Sequence, residues 1–178
     1  IEGDFQTGMY LEYIGADGQA PAIVNIEKNE IRGTGIGLHF RDMAYALSTE
    51  VTVRYNTIEN NEYGIYVHDL TYWPNTIVKF RDNNIVGNSL YGFYNLMDGS
   101  WLDAQGNWWG EDTGPYHPTT NPGGSGNEVS NYVDYGNWRT TAWEEEDDDS
   151  GSGCSAGILD PLFLLLFAPM GLLLRKNR

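Results

Sequence analysis

One pattern of eight residues occurs four times and decides the fold: residues 24–31 (VNIEKNEI), 51–58 (VTVRYNTI), 78–85 (VKFRDNNI) and 102–109 (LDAQGNWW). The asparagine at its sixth position recurs as Asn29, Asn56 and Asn83 with a constant step of 27 residues, and a shorter step leads to Asn107. Apolar residues alternate before the asparagine with a period of two, which is typical of β-strands and not of helices. A fixed period of this length indicates a solenoid, in which each repeat covers the apolar face of the next.

The length of the repeat indicates the kind of solenoid. Three short strands with their turns use about 25 residues at roughly 3.3 Å per residue, which is one lap of a coil. Equivalent residues then stack about 4.8 Å apart along the axis. The predicted inward columns, one member per coil, are Val24/Val51/Val78/Leu102, Ile26/Val53/Phe80/Ala104 and Ile31/Ile58/Ile85/Trp109. A second series pairs glycine with an apolar residue: Gly8-Met9, Gly35-Ile36, Gly64-Ile65 and Gly92-Phe93.

These repeats resemble the right-handed parallel β-helix family, whose coils are pectate-lyase-like. The resemblance implies an all-β solenoid, which we place with its C-terminal cap in residues 1–143. Residues 8–11 already look like the last strand of a coil, so we expect further coils upstream of Ile1. The segment that carries Trp108, Trp109 and Trp138 resembles the closing segment of many β-helices and predicts a cap; stacking of these rings on sugars is the alternative.

The repeated asparagines are interpreted as structural. Asn29, Asn56, Asn83 and Asn107 fall at predicted bends, where asparagine tolerates left-handed backbone angles and bonds to nearby backbone groups. Their stacked amides predict a ladder along the axis and no ligand site.

Composition excludes one class of partner. The chain has 10 lysines and arginines against 25 acidic residues, a net charge of −15. Nucleic acid is therefore not an expected partner, because phosphate binding needs a basic surface. The single cysteine cannot form an internal disulfide. No cofactor or metal is predicted; calcium is an alternative for the acidic run described next, but that run lacks the glycine-kinked loop of a calcium site.

The composition changes after residue 143. Residues 144–149 are six consecutive acids and residues 150–153 read SGSG, so 144–153 is predicted to be a disordered linker. Residues 158–174 are nearly all apolar, and as a helix they would extend about 25 Å, close to the roughly 30 Å of a bilayer core. The basic residues that follow, Arg175, Lys176 and Arg178, predict a cytoplasmic end and thus an exported domain.

The order of the segments at the C-terminal end is similar to that of a known class of signal. A small-residue motif with Gly151, Gly153 and Cys154, then a hydrophobic span and a basic end, resembles bacterial C-terminal sorting signals of the Synerg-CTERM and GlyGly-CTERM type. For residues 154–178 the resemblance implies cell-surface or outer-envelope localisation and membrane anchoring before processing. It also implies cleavage near Gly153-Cys154 by a rhombosortase-like intramembrane protease.

The outward residues after the glycine series suggest a ligand. One predicted column contains Tyr10, Gly37, Tyr66 and Tyr94, and the next contains Glu12, His39, His68 and Leu96. Tyrosines beside His and Glu could stack on sugar rings and bond to hydroxyls, which predicts a polysaccharide-binding strip. An ordinary solvated β face is the plainer interpretation.

Two other classes of function compete with sugar binding. The β-helix resemblance allows a polysaccharide lyase or glycoside hydrolase, but Asp42, Asp69 and Asp98 follow the glycine strands at unequal offsets. No column is expected to pair carboxylates with an arginine in register, although Arg41 and His68 lie close by. No catalytic residue is therefore predicted, and an enzyme would have its active site largely upstream. A purely structural adhesin or stalk is the third class.

Overall fold

The structure, a computed structural model, describes residues 6–12, 22–42, 49–70 and 76–145. Within these ranges the chain consists of short strands and turns, with no helix. The strands in chain order are β1 (Thr7–Glu12), β2 (Ala22–Glu27), β3 (Glu30–Arg32), β4 (Ile36–Arg41), β5 (Thr49–Arg54), β6 (Thr57–Glu59), β7 (Tyr63–Val67), β8 (Thr76–Arg81), β9 (Asn84–Val86), β10 (Tyr91–Asn95), β11 (Leu102–Asp103), β12 (Pro115–Tyr116), β13 (Gly126–Glu128) and β14 (Val133–Asp134).

Three successive coils, β2–β4, β5–β7 and β8–β10, each contribute one strand to each of three sheets, and β1, β11 and β14 extend two of these sheets. The sheets have the orders β1-β4-β7-β10, β14-β11-β8-β5-β2 and β3-β6-β9, and β12 pairs with β13 as a fourth, two-stranded sheet. Every pairing between these strands is parallel. The chain is a right-handed parallel β-solenoid of about four turns, so the predicted β-helix is confirmed.

The core lies inside the coils, and the predicted inward columns are confirmed. Val51 pairs with Val24 on one side and Val78 on the other, and Ile58 is flanked in the same way by Ile31 and Ile85. The central members of the columns are inaccessible to solvent: Val51, Val53, Ile58, Phe80 and Ile85. Burial of each such side chain stabilises the fold by roughly 1.5–3 kcal/mol, so stacking like on like supplies the core that a single coil lacks.

The repeated asparagines form a ladder between the five-stranded and the three-stranded sheets. Asn56, Asn83 and Asn107 are fully buried. Each side-chain amide donates to the amide oxygen of the next asparagine, over 3.0 Å, 2.9 Å and 3.0 Å in order from Asn29 to Asn107. The accepting oxygen also receives the backbone N–H of the preceding asparagine. The amides therefore satisfy buried backbone groups at a turn where strand pairing is interrupted.

The bend at this ladder falls on the residue before each asparagine. The angle φ is +56° at Lys28, +58° at Tyr55, +54° at Asp82 and +72° at Gly106, whereas no ladder asparagine has a positive φ. The prediction that the asparagines themselves adopt left-handed angles is wrong. The chain turns one residue earlier, and this leaves the asparagine side chain inside the coil. A left-handed backbone at the non-glycine residues of this turn is unfavourable by about 1–2 kcal/mol each.

A second ladder, which the sequence analysis missed, lies where the chain enters the four-stranded sheet. Asn61 donates to the Asn88 amide oxygen over 3.0 Å, and Asn88 donates to that of Asn127 over 3.0 Å. Thr34 begins the ladder with its hydroxyl 2.8 Å from the Asn61 oxygen. Asn61 and Asn88 keep the step of 27 residues, but Asn127 follows 39 residues later. It lies in residues 110–132, between the last repeat and β14, which we call the excursion, and this long segment hides the period.

Glycines stack beside this second ladder, in a register that differs from the predicted one. The pairings of β4 with β1 and β7 bring Gly37 between Gly8 and Gly64. A Cβ on Gly37 would lie 2.6 Å from the Gly64 carbonyl oxygen, so the column has no room for a side chain. The prediction that Gly35 belongs to this column is wrong. Gly35 precedes β4, and its N–H bonds to the Gln6 carbonyl over 2.9 Å.

The end of the described chain folds back along the three-stranded sheet. The Asn84 side-chain amide forms two hydrogen bonds with the backbone of Trp143: it accepts the N–H over 2.7 Å and donates to the carbonyl over 2.8 Å. The Trp143 ring stacks on Tyr55, with centroids 5.0 Å apart. In the last coil Trp109 is 1% exposed, while the Trp138 ring covers Gly114 and donates its N–H to the Asp112 carbonyl over 3.1 Å.

Candidate functional site

A column of aromatic rings runs across the outer face of the four-stranded sheet. Strand pairing places one ring in each coil, in the order Tyr10, His39, Tyr66 and Tyr94. Neighbouring ring centroids along this order are 4.9 Å, 5.2 Å and 5.3 Å apart. The spacing follows from the distance of about 4.8 Å between paired strands.

One coil of this column differs from the sequence prediction. Gly37 was expected in the column and His39 in the neighbouring one, and that placement is wrong. His39 lies in the column itself, and Arg41 takes its expected position, in register with Glu12. The reason is the glycine stack: Gly37, rather than Gly35, is the residue without a side chain that the crowded interior requires, so β4 is shifted by two residues.

Two tyrosines that the sequence analysis did not single out widen the column. Tyr63 and Tyr91 precede the stacked glycines, and their rings are nearly parallel at 9°, with centroids 6.1 Å apart. Each contacts the column ring of its own coil edge-on, Tyr63 with Tyr66 at 5.3 Å and Tyr91 with Tyr94 at 4.9 Å. The Tyr-Gly pair that recurs in the sequence was a pattern from which these two tyrosines could have been identified. We define the tyrosine strip as Tyr10, His39, Tyr63, Tyr66, Tyr91 and Tyr94.

His39 is the polar member of the strip. Its ring meets Tyr10 and Tyr66 edge-on. Its Nε2 is buried and has no hydrogen-bond partner among the residues that the structure describes. Burial, and then the nearby charges of His68 and Arg41, lower the pKa of His39 below the ordinary 6.5, so the ring is neutral at pH 7. The packing therefore leaves a buried polar atom unsatisfied, and a ligand hydroxyl reaches this nitrogen only if the neighbouring rings move.

A groove of about 330 Å³ continues the strip beyond β10. One wall is formed by Tyr91, Tyr94 and the residues after them, including Asp98. The other wall comes from the excursion, with Glu128 on β13 and residues 129–132. The two walls are joined, because the Ser130 N–H bonds to the Phe93 carbonyl over 3.1 Å and the Asn95 N–H bonds to the Ser130 hydroxyl over 2.8 Å.

Comparison with known proteins identifies the family. The family described as "Right handed beta helix region" matches residues 19–108, half of the chain. The chain belongs to this family. The match includes three of the four strands that carry the tyrosine strip, β4, β7 and β10. No match was found among curated proteins or among solved structures.

A charged cluster borders the tyrosine strip of this β-helix where β1 and β4 end. The Tyr10 hydroxyl donates to Glu12 over 3.0 Å, and burial followed by this bond raises the pKa of Tyr10. The Arg41 guanidinium lies 3.8 Å from Glu12 and 3.5 Å from Asp42. The shift of β4 thus brings Arg41 into register with the single carboxylate Glu12.

Asp42 and Asp69 follow Arg41 and His68 in this β-helix and interact directly. The Asp42 N–H donates to the Asp69 carboxylate over 2.8 Å, and His68 Nδ1 lies 3.2 Å from the same carboxylate. Desolvation, then the bond and charge of Asp69, raise the pKa of Asp42. Desolvation opposes the shift at Asp69, but hydrogen bonds from Asp42 and His68 lower its pKa overall. The Asp69 carboxylate therefore already has two partners within this turn, the Asp42 backbone N–H and the His68 ring.

The remaining predicted residues are placed as follows. His68 and Leu96 border the strip, and Asp98 is exposed in the groove. Gly151, Gly153, Cys154 and the predicted span 158–174 lie outside the described residues. Among the described residues, no group of three or more His, Cys, Asp or Glu side chains is placed to hold a metal ion. In the same ranges no helix is long and apolar enough to cross a membrane.

Proposed function

We propose that this chain is an exported, surface-anchored β-helix protein whose tyrosine strip binds polysaccharide. The observation that carries the proposal is the strip itself, a continuous row of aromatic rings on the outside of one sheet. Tyrosine rings are flat and apolar with a polar tip, so they match sugars, which have apolar C–H faces and a rim of hydroxyls. Several rings held by strands form a surface that changes little on binding.

The dimensions of the strip suit a linear glycan. Coils repeat about every 4.8 Å, so the rings present a periodic surface along the axis to a periodic polymer. Hydrogen-bonding groups accompany the rings, namely the tyrosine hydroxyls and the partly exposed Glu12 carboxylate at the edge of the strip. Tyr10 is 47% exposed, and its face is accessible to a ligand. Apolar rings with a few convergent polar groups are typical of a ligand site.

The proposed location rests on the C-terminal sequence. The acidic run, the apolar residues 158–174 and the basic end have the order of a sorting signal that leaves the β-helix outside the cell. We propose that an intramembrane protease trims the chain near Cys154. The mass of the mature C-terminus tests this step, because a chain that is intact to Arg178 would contradict it.

Affinity electrophoresis of the full chain in gels that contain one soluble polysaccharide each tests the binding proposal. A β-1,4-glucan, chitosan and polygalacturonate are suitable probes. Tyr66→Ala should abolish retardation, weakening binding at least about tenfold, since Tyr66 lies between His39 and Tyr94 and its loss interrupts the row of rings. Ile23→Ala is the matched control, because Ile23 is 70% exposed on the five-stranded sheet, away from the strip.

Two results would contradict this proposal. Equal retardation of Tyr66→Ala and the wild-type chain would move binding away from the strip. Wild-type chain that is retarded by no polysaccharide would favour the structural class, in which the coils serve as a spacer.

A further inference from the structure

The groove beyond β10 differs from the rest of the strip in its charge. Two residues with carboxylates are among those that line it, Asp98 after β10 and Glu128 on β13. The sequence contains no lysine or arginine between Arg81 and Arg139, although it has acidic residues throughout that interval. His117, the histidine of the groove, is 6% exposed, and its Nδ1 accepts the N–H groups of Thr119 and Thr120. The groove therefore has no basic side chain with which to bind an anionic sugar.

The aromatic wall of the groove also favours a positively charged ligand. Tyr91 and Tyr94 present their rings to it, and the face of a tyrosine ring attracts cations. Burial and then the Glu128 charge raise the pKa of Tyr91, so its hydroxyl stays protonated. At the other end of the strip, Arg41 is flanked by Glu12 and Asp42. The strip thus offers no unpaired arginine among the described residues to a uronate carboxylate.

We propose that the groove between β10 and the excursion binds a sugar that bears a protonated amine. This inference rests on the proposed function and names the ligand class of the same surface. The ammonium group lies between the Glu128 and Asp98 carboxylates and against the rings of Tyr91 and Tyr94. A polyuronate is rejected because its carboxylates would face like charges with no compensating cation.

Calorimetric titration of the full chain with three oligosaccharides tests the inference. The probes are a glucosamine oligomer with free amines, its N-acetylated form and an oligogalacturonate, at mildly acidic pH where the amine is protonated. We expect the free-amine oligomer to bind about five- to tenfold more tightly than the acetylated one. The preference should shrink as salt is added, because these carboxylates are partly exposed.

Variants separate this groove from the general negative charge of the chain. Asp98→Asn and Glu128→Gln should each remove most of the preference for the free amine. Glu50→Gln is the matched control, since Glu50 is exposed on β5 in the five-stranded sheet and its loss changes the net charge equally. Asp98 is exposed, so its variant should fold even if Glu128→Gln does not.

The outcomes are distinct. Equal binding of free-amine and acetylated oligomers, or tighter binding of the oligogalacturonate, would overturn the inference and leave the binding strip in place. An equal loss of affinity in Glu50→Gln would also overturn it, because the attraction would then come from net charge. Failure of all three oligomers to bind would overturn this inference and the proposed function together.

Discussion

The turn at the first asparagine ladder and the sheet face that carries the tyrosine strip are built in opposite ways. At the first ladder, Asn56 and Asn83 are fully buried and every amide has partners above, below and within its own coil. At the strip, His39 keeps a buried nitrogen without a partner among the described residues, and Asp42 and Asp69 bond to each other with pKa values shifted in opposite directions.

The difference indicates where this protein keeps its stability and where it has room for a ligand. A buried polar group with all its partners makes a turn rigid, and a polar group with unused bonding capacity can bind something else. The ladder turn repeats every 27 residues in the first three coils because each coil must present the same amide to the next. The strip varies from coil to coil because the outward side chains of the four-stranded sheet are not held by their neighbours in the same way.

Loss of a ladder amide should have the largest effect. Asn83→Ala removes donors to the Val53 and Arg81 carbonyls and leaves the Asn56 amide without its acceptor. Each orphaned buried group costs about 1–3 kcal/mol, so the free energy of unfolding should fall by about 3–5 kcal/mol in urea denaturation. Asn25→Ala is the control, since Asn25 is exposed on β2 and its loss should change little. A loss of unfolding free energy below about 1 kcal/mol for Asn83→Ala would show that water or repacking supplies hydrogen bonds to the groups that Asn83 leaves.

A methyl group in the glycine column should have the next largest effect. A Cβ on Gly64 would lie 2.6 Å from the Gly92 carbonyl oxygen and 2.9 Å from the Asn88 amide nitrogen, so Gly64→Ala must separate two coils. Overpacking of this kind costs about 1–3 kcal/mol, measurable as a lower urea midpoint. Gly123→Ala is the matched control, because no atom lies within 4 Å of its added Cβ. Equal stability of the two variants would mean that the glycines are not close-packed.

The smallest expected effect is a pH dependence at the strip. Burial lowers the pKa of His39, so the unfolded chain binds a proton at this residue more readily than the folded one. The contribution of His39 to stability is therefore fully present above pH 6.5, the ordinary histidine value, and is lost as the pH falls towards the folded-state pKa. Urea midpoints should fall less between neutral and mildly acidic pH for His39→Gln than for the wild-type chain. Identical pH profiles would contradict a lowered pKa.

The sequence predicted the features that the axial repeat imposes. The apolar columns follow from the period because a coil has to match its neighbours in size and polarity. The second ladder escaped detection because Asn127 reaches it from an excursion whose length no period determines. His39 was assigned to the wrong column because two glycines, Gly35 and Gly37, both precede an apolar residue in that coil. Only the packing against the Gly64 carbonyl oxygen decides between them.

The groove could not be predicted at all from the repeat. Asp98 and Glu128 are 30 residues apart in the sequence and reach one groove because the excursion returns to β10. The signal that does exist in the sequence is the long interval without lysine or arginine, which indicates the charge of the groove but not its position.

The most direct test of the division between the ladder turn and the tyrosine strip is a glycan titration of Asn29→Ala and Tyr66→Ala beside the wild-type chain. Asn29 is the partly buried end of the ladder, so its variant should be less stable but still folded. We predict wild-type affinity for Asn29→Ala and at least about a tenfold loss for Tyr66→Ala. Wild-type affinity in Tyr66→Ala with a loss in Asn29→Ala would contradict the assignment of stability to the ladder and of binding to the strip.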